Sequence, residues 1–366
     1  MLGERIKLAR RKAGYSLRNL ADRMGGRVSA QAIGKYERGE MVPGSDNLIA
    51  LSRALEVSVP YLLDSQGIEL TGVDFRAQAG ITGAERARVQ TEVLEWVERY
   101  LQIERILELD DGQWEMPFAE PRKLASVQQA ESLAEEVRNR WNLGWDPIPN
   151  VTELFEEQGF KVLVVGLPAK VSGFTCLVHR SQAQSAVPVV VVNEMCSIER
   201  RRLTMVHELG HRLIDPEPLC TSEEEKAATR FAGAFLMPKE HLIRECGRER
   251  HKLSYQELID LKQLYKVSGA ALLVRLRDIG VISDAYLTYA FQSFARTWRS
   301  QEPESLERDP TCAKLEPAQR FERLCHRALA EGLISLSKAA ELLRRPVKVV
   351  ESELKGPVAS DADHHQ

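Results

Sequence analysis

The chain has 366 residues, 50 Lys plus Arg against 53 Asp plus Glu, a formal net charge of −3 and 43% hydrophobic residues. That composition supports an ordinary buried core and excludes a wholly disordered chain, and the length predicts two to four domains. No apolar run approaches the roughly 20 residues that cross a bilayer, and the charged amphipathic start from Leu2 to Arg10 is no signal peptide, so a cytoplasmic protein with no membrane partner is expected.

Tyr15 to Met24 and Val28 to Gly39 read as two short amphipathic helices joined by a turn at Gly25-Gly26, the helix-turn-helix pattern. Ser16 and Ser29 stand where N-caps belong, and Leu17, Leu20 and Ala21 are placed against Ile33 and Tyr36 as a small core. The stretch resembles the XRE family of phage-repressor-like DNA-binding domains, with Lys35-Tyr-Glu-Arg-Gly39, Pro43 and a Leu48 to Leu55 helix in register. The resemblance implies double-stranded DNA as a partner and assigns contacts to Ser29, Ala30, Gln31, Lys35 and Arg38. Gln31 suits adenine, and Lys35 suits guanine or a phosphate. Two departures stand out: Leu17 occupies a position where relatives commonly carry Gln, and the turn is longer by Gly26-Arg27. Residues 1 to 64 carry a net charge of +4 and the remainder −7, a weakly basic module on an acidic body, which predicts a homodimer for tight binding. The alternative for this segment is a five-helix protein-interaction module.

Residues 65 to 81, with Gly67, Gly72 and Gly80, read as a linker. Thr82 to Leu109 then reads as a long charged helix with Val89, Val93, Trp96, Val97, Tyr100, Leu101 and Leu107 along a stripe. It serves either as a dimerisation element or to pack on the body of the following domain, the second being preferred. Asp110-Asp-Gly and the Pro117 to Pro121 segment break it before a helix from Ala125 to Trp141.

Val187 to Val192 reads as a buried strand, and Asn193 to Ser197 as a turn into a helix that starts near Ile198 and cannot pass Asp215, because Pro216 and Pro218 follow. Within this helix stands His207-Glu208-Leu209-Gly210-His211. Residues i and i+4 share a helix face, so both imidazoles can reach one metal ion while Glu208 holds a water on it. Gly210 costs the helix about 1 kcal/mol relative to Ala, which implies a close approach by another group. The next helix begins at Thr221 or Ser222 and stops before Pro238. Glu225 is in phase with its apolar Ala228, Ala232 and Phe235 and should point inward, as a third ligand or as the partner of Ser222 in a capping box. Glu224 is close in phase, whereas Glu223 falls beside Lys226 and Arg230 on a solvated face.

Arg201 to His211, followed by Glu225 to Pro238, resembles the ImmA/IrrE family of metallopeptidases. Thr229 stands where that family usually has Asn, and Leu203 where it often has Phe. The likeness extends from about Ala130 through Asp146 to Pro149 and Gly173-Phe174, and on to Val267 to Ile282. It implies a metallo-endopeptidase domain with His207, His211 and Glu225 as metal ligands and Glu208 as catalytic base. The donor set favours zinc, and the same residues accept manganese or iron. Zinc would lower the pKa of a bound water toward about 7, so that Glu208 can take its proton. His179, Tyr255 and Tyr265 are the candidate oxyanion donors.

Six cysteines at irregular spacing, Cys176, Cys196, Cys220, Cys246, Cys312 and Cys325, read as reduced thiols. Cys220, five residues before Glu225, is a candidate to occupy the open metal position until oxidised. Arg320 to Ala330 and Leu336 to Leu343 form a helical tail with Ser335 or Ser337 as a cap and Pro346 as a stop. The expected architecture is mainly α with a small β-sheet (α+β). A helix-turn-helix domain takes residues 1–66, a linker and long helix 67–124, a zincin-like metallopeptidase domain 125–300, helical segments 301–355 and a disordered tail 356–366. Three functions follow. The first is a DNA-binding stress-response regulator whose peptidase cleaves a repressor or antitoxin-like protein; the second is a transcription factor whose peptidase-like body senses a ligand without proteolysis; the third is an antitoxin-like autorepressor.

Overall fold

Apolar residues at helical spacing build most of the molecule: 59% of it is helical, in seventeen α-helices with six short strands among the described residues, the α+β class expected. The computed structural model describes residues 2–57, 59–63, 68–71, 82–109, 117–118, 120–180, 186–217, 219–307 and 315–355. The chain divides into two compact units, one of Met1–Gly67, Ala87–Gln113 and Ala318–Gln366, the other of Ile68–Arg86 and Trp114–Pro317.

In the first unit, α1 (Leu2–Lys12), α2 (Leu17–Arg23), α3 (Ala30–Glu37), α4 (Ser45–Leu55) and α5 (Val59–Leu63) follow the expected order. Ser16 and Ser29 cap α2 and α3, their hydroxyls accepting from the backbone N–H of Asn19 and Ala32. Gly25 and Gly26 adopt φ of 71° and 70°, the left-handed backbone that the turn between them demands. Leu20, Ala21, Ile33 and Tyr36 are buried as anticipated, and Leu17 is partly so.

The long helix α6 (Gly83–Ile106) contributes its portion from Ala87 onward to this unit. The expectation that it packs on the following domain is corrected. Tyr100, Ile103 and Leu107 are buried with Phe321, Leu324, Cys325 and Ala328 of α15 (Arg320–Ala330), Ala339 and Leu342 of α16 (Leu336–Leu343), and Val350 of α17 (Val347–Lys355). Arg5 pairs with Glu98, and Lys12 with Glu95 at 3.5 Å, so α1 and α6 are joined by charges as well. Ser335 caps α16, which ends at Leu343 ahead of Pro346 as expected, and Pro346 then opens a further helix, α17, as suits a residue that needs no amide partner in a first turn. The tail from Gly356 lies outside the described residues.

The second unit holds β1 (Ile68–Thr71), β2 (Arg122–Lys123), β3 (Lys161–Val165), β4 (Gly173–Arg180), β5 (Val187–Asn193) and β6 (Ile214–Asp215). Four of them form a sheet ordered β1-β4-β5-β3, in which β5 runs parallel to β3 and antiparallel to β4. β5 is buried along its whole length, as its unbroken apolar run implies. Its Pro188 precedes Val189, where pairing with β3 begins, so its missing N–H removes no bond to that neighbour. β1 corrects the linker reading: Ile68 to Thr71 pairs antiparallel with Leu177 to Arg180 of β4, a strand too short to stand out from its glycine-rich surroundings.

Helices α7 (Ala130–Arg140), α8 (Val151–Glu157), α9 (Ile198–Leu213), α10 (Thr221–Leu236), α11 (Lys239–Cys246), α12 (Tyr255–Tyr265), α13 (Gly269–Asp278) and α14 (Asp284–Gln292) complete this unit. Buried arginines tie them together. Arg138 of α7 donates to the carbonyls of Gly144, Asp146 and Phe235, and Arg275 of α13 bonds the Met237 carbonyl and, at 2.7 Å, Glu131. Arg202 of α9 pairs with Glu316 and donates to the Ile148 carbonyl at 2.8 Å. These anchors join α7 and α13 to the end of α10, and α9 to the segments at Ile148 and Glu316.

Candidate functional site

α9 leaves β5 through the turn at Asn193, whose buried side chain donates to the Val171 carbonyl at 2.8 Å and accepts from the Met195 amide. The helix ends at Leu213, before Pro216, as the sequence requires. His207 and His211 lie one turn apart on it with their Nε2 atoms 3.0 Å from each other. Glu225 of α10 presents Oε2 3.4 Å from His207 Nε2 and Oε1 3.5 Å from His211 Nε2. Three donors on a tetrahedral zinc at bonds of about 2.0 Å stand about 3.3 Å apart. The spacing and the chemistry of His207, His211 and Glu225 therefore fit a divalent metal.

Gly210 shows why α10 comes so close. A Cβ there would stand 3.1 Å from Ala228 Cα and 3.3 Å from Phe231 Cδ1, so the missing side chain is the space the second helix occupies. Three residues before Ala228 on α10 is Glu225, which this contact brings to the histidines.

Two expectations about α10 are corrected. Glu225 is half exposed rather than packed inside: the first buried residues of α10 are Ala227 and Ala228. Its capping-box role falls to others, since Cys220 is the N-cap, its side chain accepting from the Glu223 amide while the Glu223 carboxylate accepts from the Cys220 amide at 3.2 Å. Cys220, exposed at that cap, is not among the residues lining the cleft, which removes the basis for a thiol in the open metal position. The other described cysteines are free thiols as expected, and burial pushes those of Cys176 and Cys325 up to about 12; Cys312 lies outside the described residues.

Two residues act on the histidines from behind. His211 Nδ1 lies 3.0 Å from a Glu224 carboxylate oxygen, and His207 Nδ1 lies 3.4 Å from Thr229 Oγ1. An N–H on each Nδ1 leaves each Nε2 lone pair facing the common point. Sequence phase had left Glu224 only as a neighbour of the ligand candidate; the signal for its role was its place, like Glu225, one turn into a helix that faces α9. Thr229 takes the position at which the resemblance departs from Asn and still offers an acceptor.

Glu208 lines the same cleft beside the histidines. Burial pushes its carboxyl up, and the charges of His207 and His211 act against that rise. The Glu225 carboxyl is held below the ordinary range by its hydrogen bond to His207, against its partial burial. The cleft encloses about 850 Å³ between β4, α9, α10 and α13. None of the three expected oxyanion donors lines it. His179 is exposed on β4, Tyr255 packs on Trp298, and the buried Tyr265 is bonded through its hydroxyl to His241 Nδ1 at 2.6 Å. Arg212, which sequence analysis passed over, does line the cleft.

On the other unit, Gln31 and Lys35 are exposed one turn apart on α3, and Ala30 is partly exposed beside them. Ser29 is exposed but already serves as the cap, and Arg38 is engaged in a bidentate pair with Glu40 at 2.6 and 3.0 Å.

Comparison with known proteins agrees with this division. Residues 6–62 match the family described as Helix-turn-helix, and residues 156–277 match the peptidase family described as IrrE N-terminal-like domain. The HTH-type transcriptional regulator YonR of the SPbeta prophage in Bacillus subtilis (strain 168), itself called uncharacterized, is 43% identical over 63 residues, 17% of this chain and 56% of that protein. Repressor protein C2 of Salmonella phage P22 is 43% identical over 63 residues, 17% of this chain and 28% of the repressor. The HTH-type transcriptional regulator ImmR of Bacillus subtilis (strain 168) is 39% identical over 62 residues, 17% of this chain and 47% of the regulator. The chain thus spans about half or less of the length of each of these relatives. No helix among the described residues is long and apolar enough to cross a membrane.

Proposed function

From the premise that one chain carries an amino-terminal helix-turn-helix domain and an IrrE-like domain, we propose a DNA-binding stress-response regulator whose second domain is a zinc-dependent endopeptidase acting on a repressor or antitoxin-like protein. The observation that carries the reading is the convergence of His207 Nε2, His211 Nε2 and the Glu225 carboxylate within 3.5 Å, with Glu208 beside them. We assign the metal to those three donors and the general base to Glu208.

A bound divalent metal supplies Lewis-acid polarisation of the scissile carbonyl and of the attacking water. The rest belongs to the chain. Glu208 accepts the proton of that water and returns it to the leaving amine nitrogen, a task that suits a carboxylate whose proton affinity burial has raised. Glu224 and Thr229 hold the two imidazoles in the tautomer that leaves Nε2 free.

On the DNA side, α3 enters the major groove with Ala30, Gln31 and Lys35, while Ser29 and Arg38 sit at its two ends. A cytoplasmic homodimer supplies the second half-site that a domain of net charge +4 needs. The proposed segments along the sequence are 1–66, 67–124, 125–300, 301–355 and 356–366, with β1 and β2 of the second segment completing sheets of the peptidase-like unit. The ligand-sensing reading has one point in its favour, that the relatives are named as regulators, but it leaves Glu208 without a task. The test is a mass-spectrometric survey of new protein N-termini in stressed cells carrying the wild type or Glu208→Gln. A terminus that requires Glu208 supports the reading and identifies the substrate; promoter regulation by both forms with no such terminus favours the sensor.

A further inference from the structure

The cleft is unevenly charged. Five cations line it, and of these Arg275 alone has a carboxylate at ion-pair distance among the described residues, Glu131. Lys170, Arg200, Arg212 and Arg299 form no ion pair with a carboxylate among the described residues: Arg200 donates to Ser172 Oγ, Arg299 stacks on Phe291, and Arg212, which feels the charge of Glu208, donates through Nε to Thr175 Oγ1 at 3.1 Å. The lining acids are already engaged. Glu224 and Glu225 face the histidines, Glu302 pairs with Lys262 at 3.5 Å and accepts from the Gly269 amide, and Asp278 pairs with Arg277 at 2.8 Å. Glu208 is left; its charge acts on Arg212 without a hydrogen bond between them, and its role is the base. Five cations therefore face five carboxylates in a part of the chain that is acidic overall, with net charge −7 beyond residue 64, and the four cations outside ion pairs are a local concentration.

Arg212 is the informative member. It lies four residues after Glu208 on α9, hence on the same helix face, and its Nη2 is buried without a hydrogen-bond partner. A buried guanidinium nitrogen with no acceptor is costly to maintain, and a planar fork of donors is best met by a carboxylate. Resting on the endopeptidase reading above, we propose that the cleft takes an acidic peptide segment. A carboxylate side chain next to the scissile bond is held by Arg212, and further acidic residues along the segment meet Lys170, Arg200 and Arg299 at the mouth.

The experiment measures binding to the zinc-loaded full chain carrying Glu208→Gln, so that no cleavage intervenes. The probes are a fluorescein-labelled peptide of alternating Glu and Ala and its counterpart with Gln in place of Glu, followed by anisotropy. Expected is at least about tenfold tighter binding of the Glu peptide, as charge-assisted bonds to guanidinium provide. The preference should shrink in high salt and fall severalfold when Arg212→Met is added. Because Arg212 is partly buried, a second variant, Arg200→Glu with Arg299→Glu, changes only exposed side chains and should also reduce it. Equal binding of the two peptides, undetectable binding of both, or a preference that survives both variants overturns the proposal; the last result would mean that zinc alone draws the carboxylates. Failure of the peptidase reading shows elsewhere, as wild-type protein that cleaves neither peptide while the acidic preference in binding remains.

Discussion

Gly210→Ala tests the packing that carries the Glu225 carboxylate to the histidines. On an open helix the change stabilises by about 1 kcal/mol. Here the added methyl meets Ala228 Cα at 3.1 Å and Ala228 Cβ and Phe231 Cδ1 at 3.3 Å, in a seam where Ala228 and Phe231 are fully buried. Overpacking of that kind costs about 1–3 kcal/mol, so the net effect is a loss of up to about 2 kcal/mol. For a unit of this size that lowers Tm by up to about 8 °C. The larger consequence is at the site: displacing α10 by a few tenths of an ångström moves Glu225 away from His207 and His211, and zinc affinity should fall about tenfold, equivalent to about 1.4 kcal/mol. Calorimetry of the metal-free protein and a zinc titration against a chromophoric chelator measure the two effects separately. A raised Tm with unchanged zinc affinity would refute the reasoning, because it would mean that the helices have room for the methyl.

Glu224→Ala, which removes the carboxylate from His211 Nδ1, should weaken zinc binding by about 10–100-fold with little change in metal-free Tm; an unchanged affinity would deny Glu224 its orienting role. Acid stability should depend on Glu131. Burial pushes its carboxyl up, but the hydrogen bonds and charge of Arg275 outweigh that and hold it below the ordinary range. Its contribution is therefore complete above the unfolded-state value of about 4.3 and is lost as pH falls through the lower folded value. Urea melts across that window should show a shallower acid decline for Glu131→Gln, and an identical decline would contradict the assignment. On DNA, Gln31→Ala should cost about 1–3 kcal/mol and relax base preference, whereas Lys35→Ala should flatten the salt dependence; binding assays at several salt concentrations distinguish them.

The parts of this molecule legible in the sequence were those where one residue type in one spacing has a single physical meaning. His207 and His211 at i and i+4, the serine caps of α2 and α3, the buried run of β5 and the missing Cβ of Gly210 are all of that kind. Partnerships formed across long sequence separation were not legible. Periodicity brought out the apolar stripe of α6 but could not say that α15, α16 and α17, more than 200 residues later, would cover it. β1 is four residues long, and nothing local distinguishes it from a linker until β4 pairs with it. The same limit applied inside the site. Helical phase put Glu224 and Glu225 near one face, and only the position of α9 separates the one behind His211 from the one between both rings. Arg212 was overlooked because an arginine after a histidine has no signature of its own; its meaning comes from the cleft around it.

The central claim is that Glu208 acts as a base at a metal held by His207, His211 and Glu225. The most direct measurement takes purified wild type and Glu208→Gln, determines bound zinc by elemental analysis, and follows digestion of a proteome-derived peptide library by mass spectrometry. Equal, stoichiometric zinc in both proteins and cleavage by the wild type alone are expected. Equal cleavage by both, or no cleavage by a fully zinc-loaded wild type, would contradict that claim.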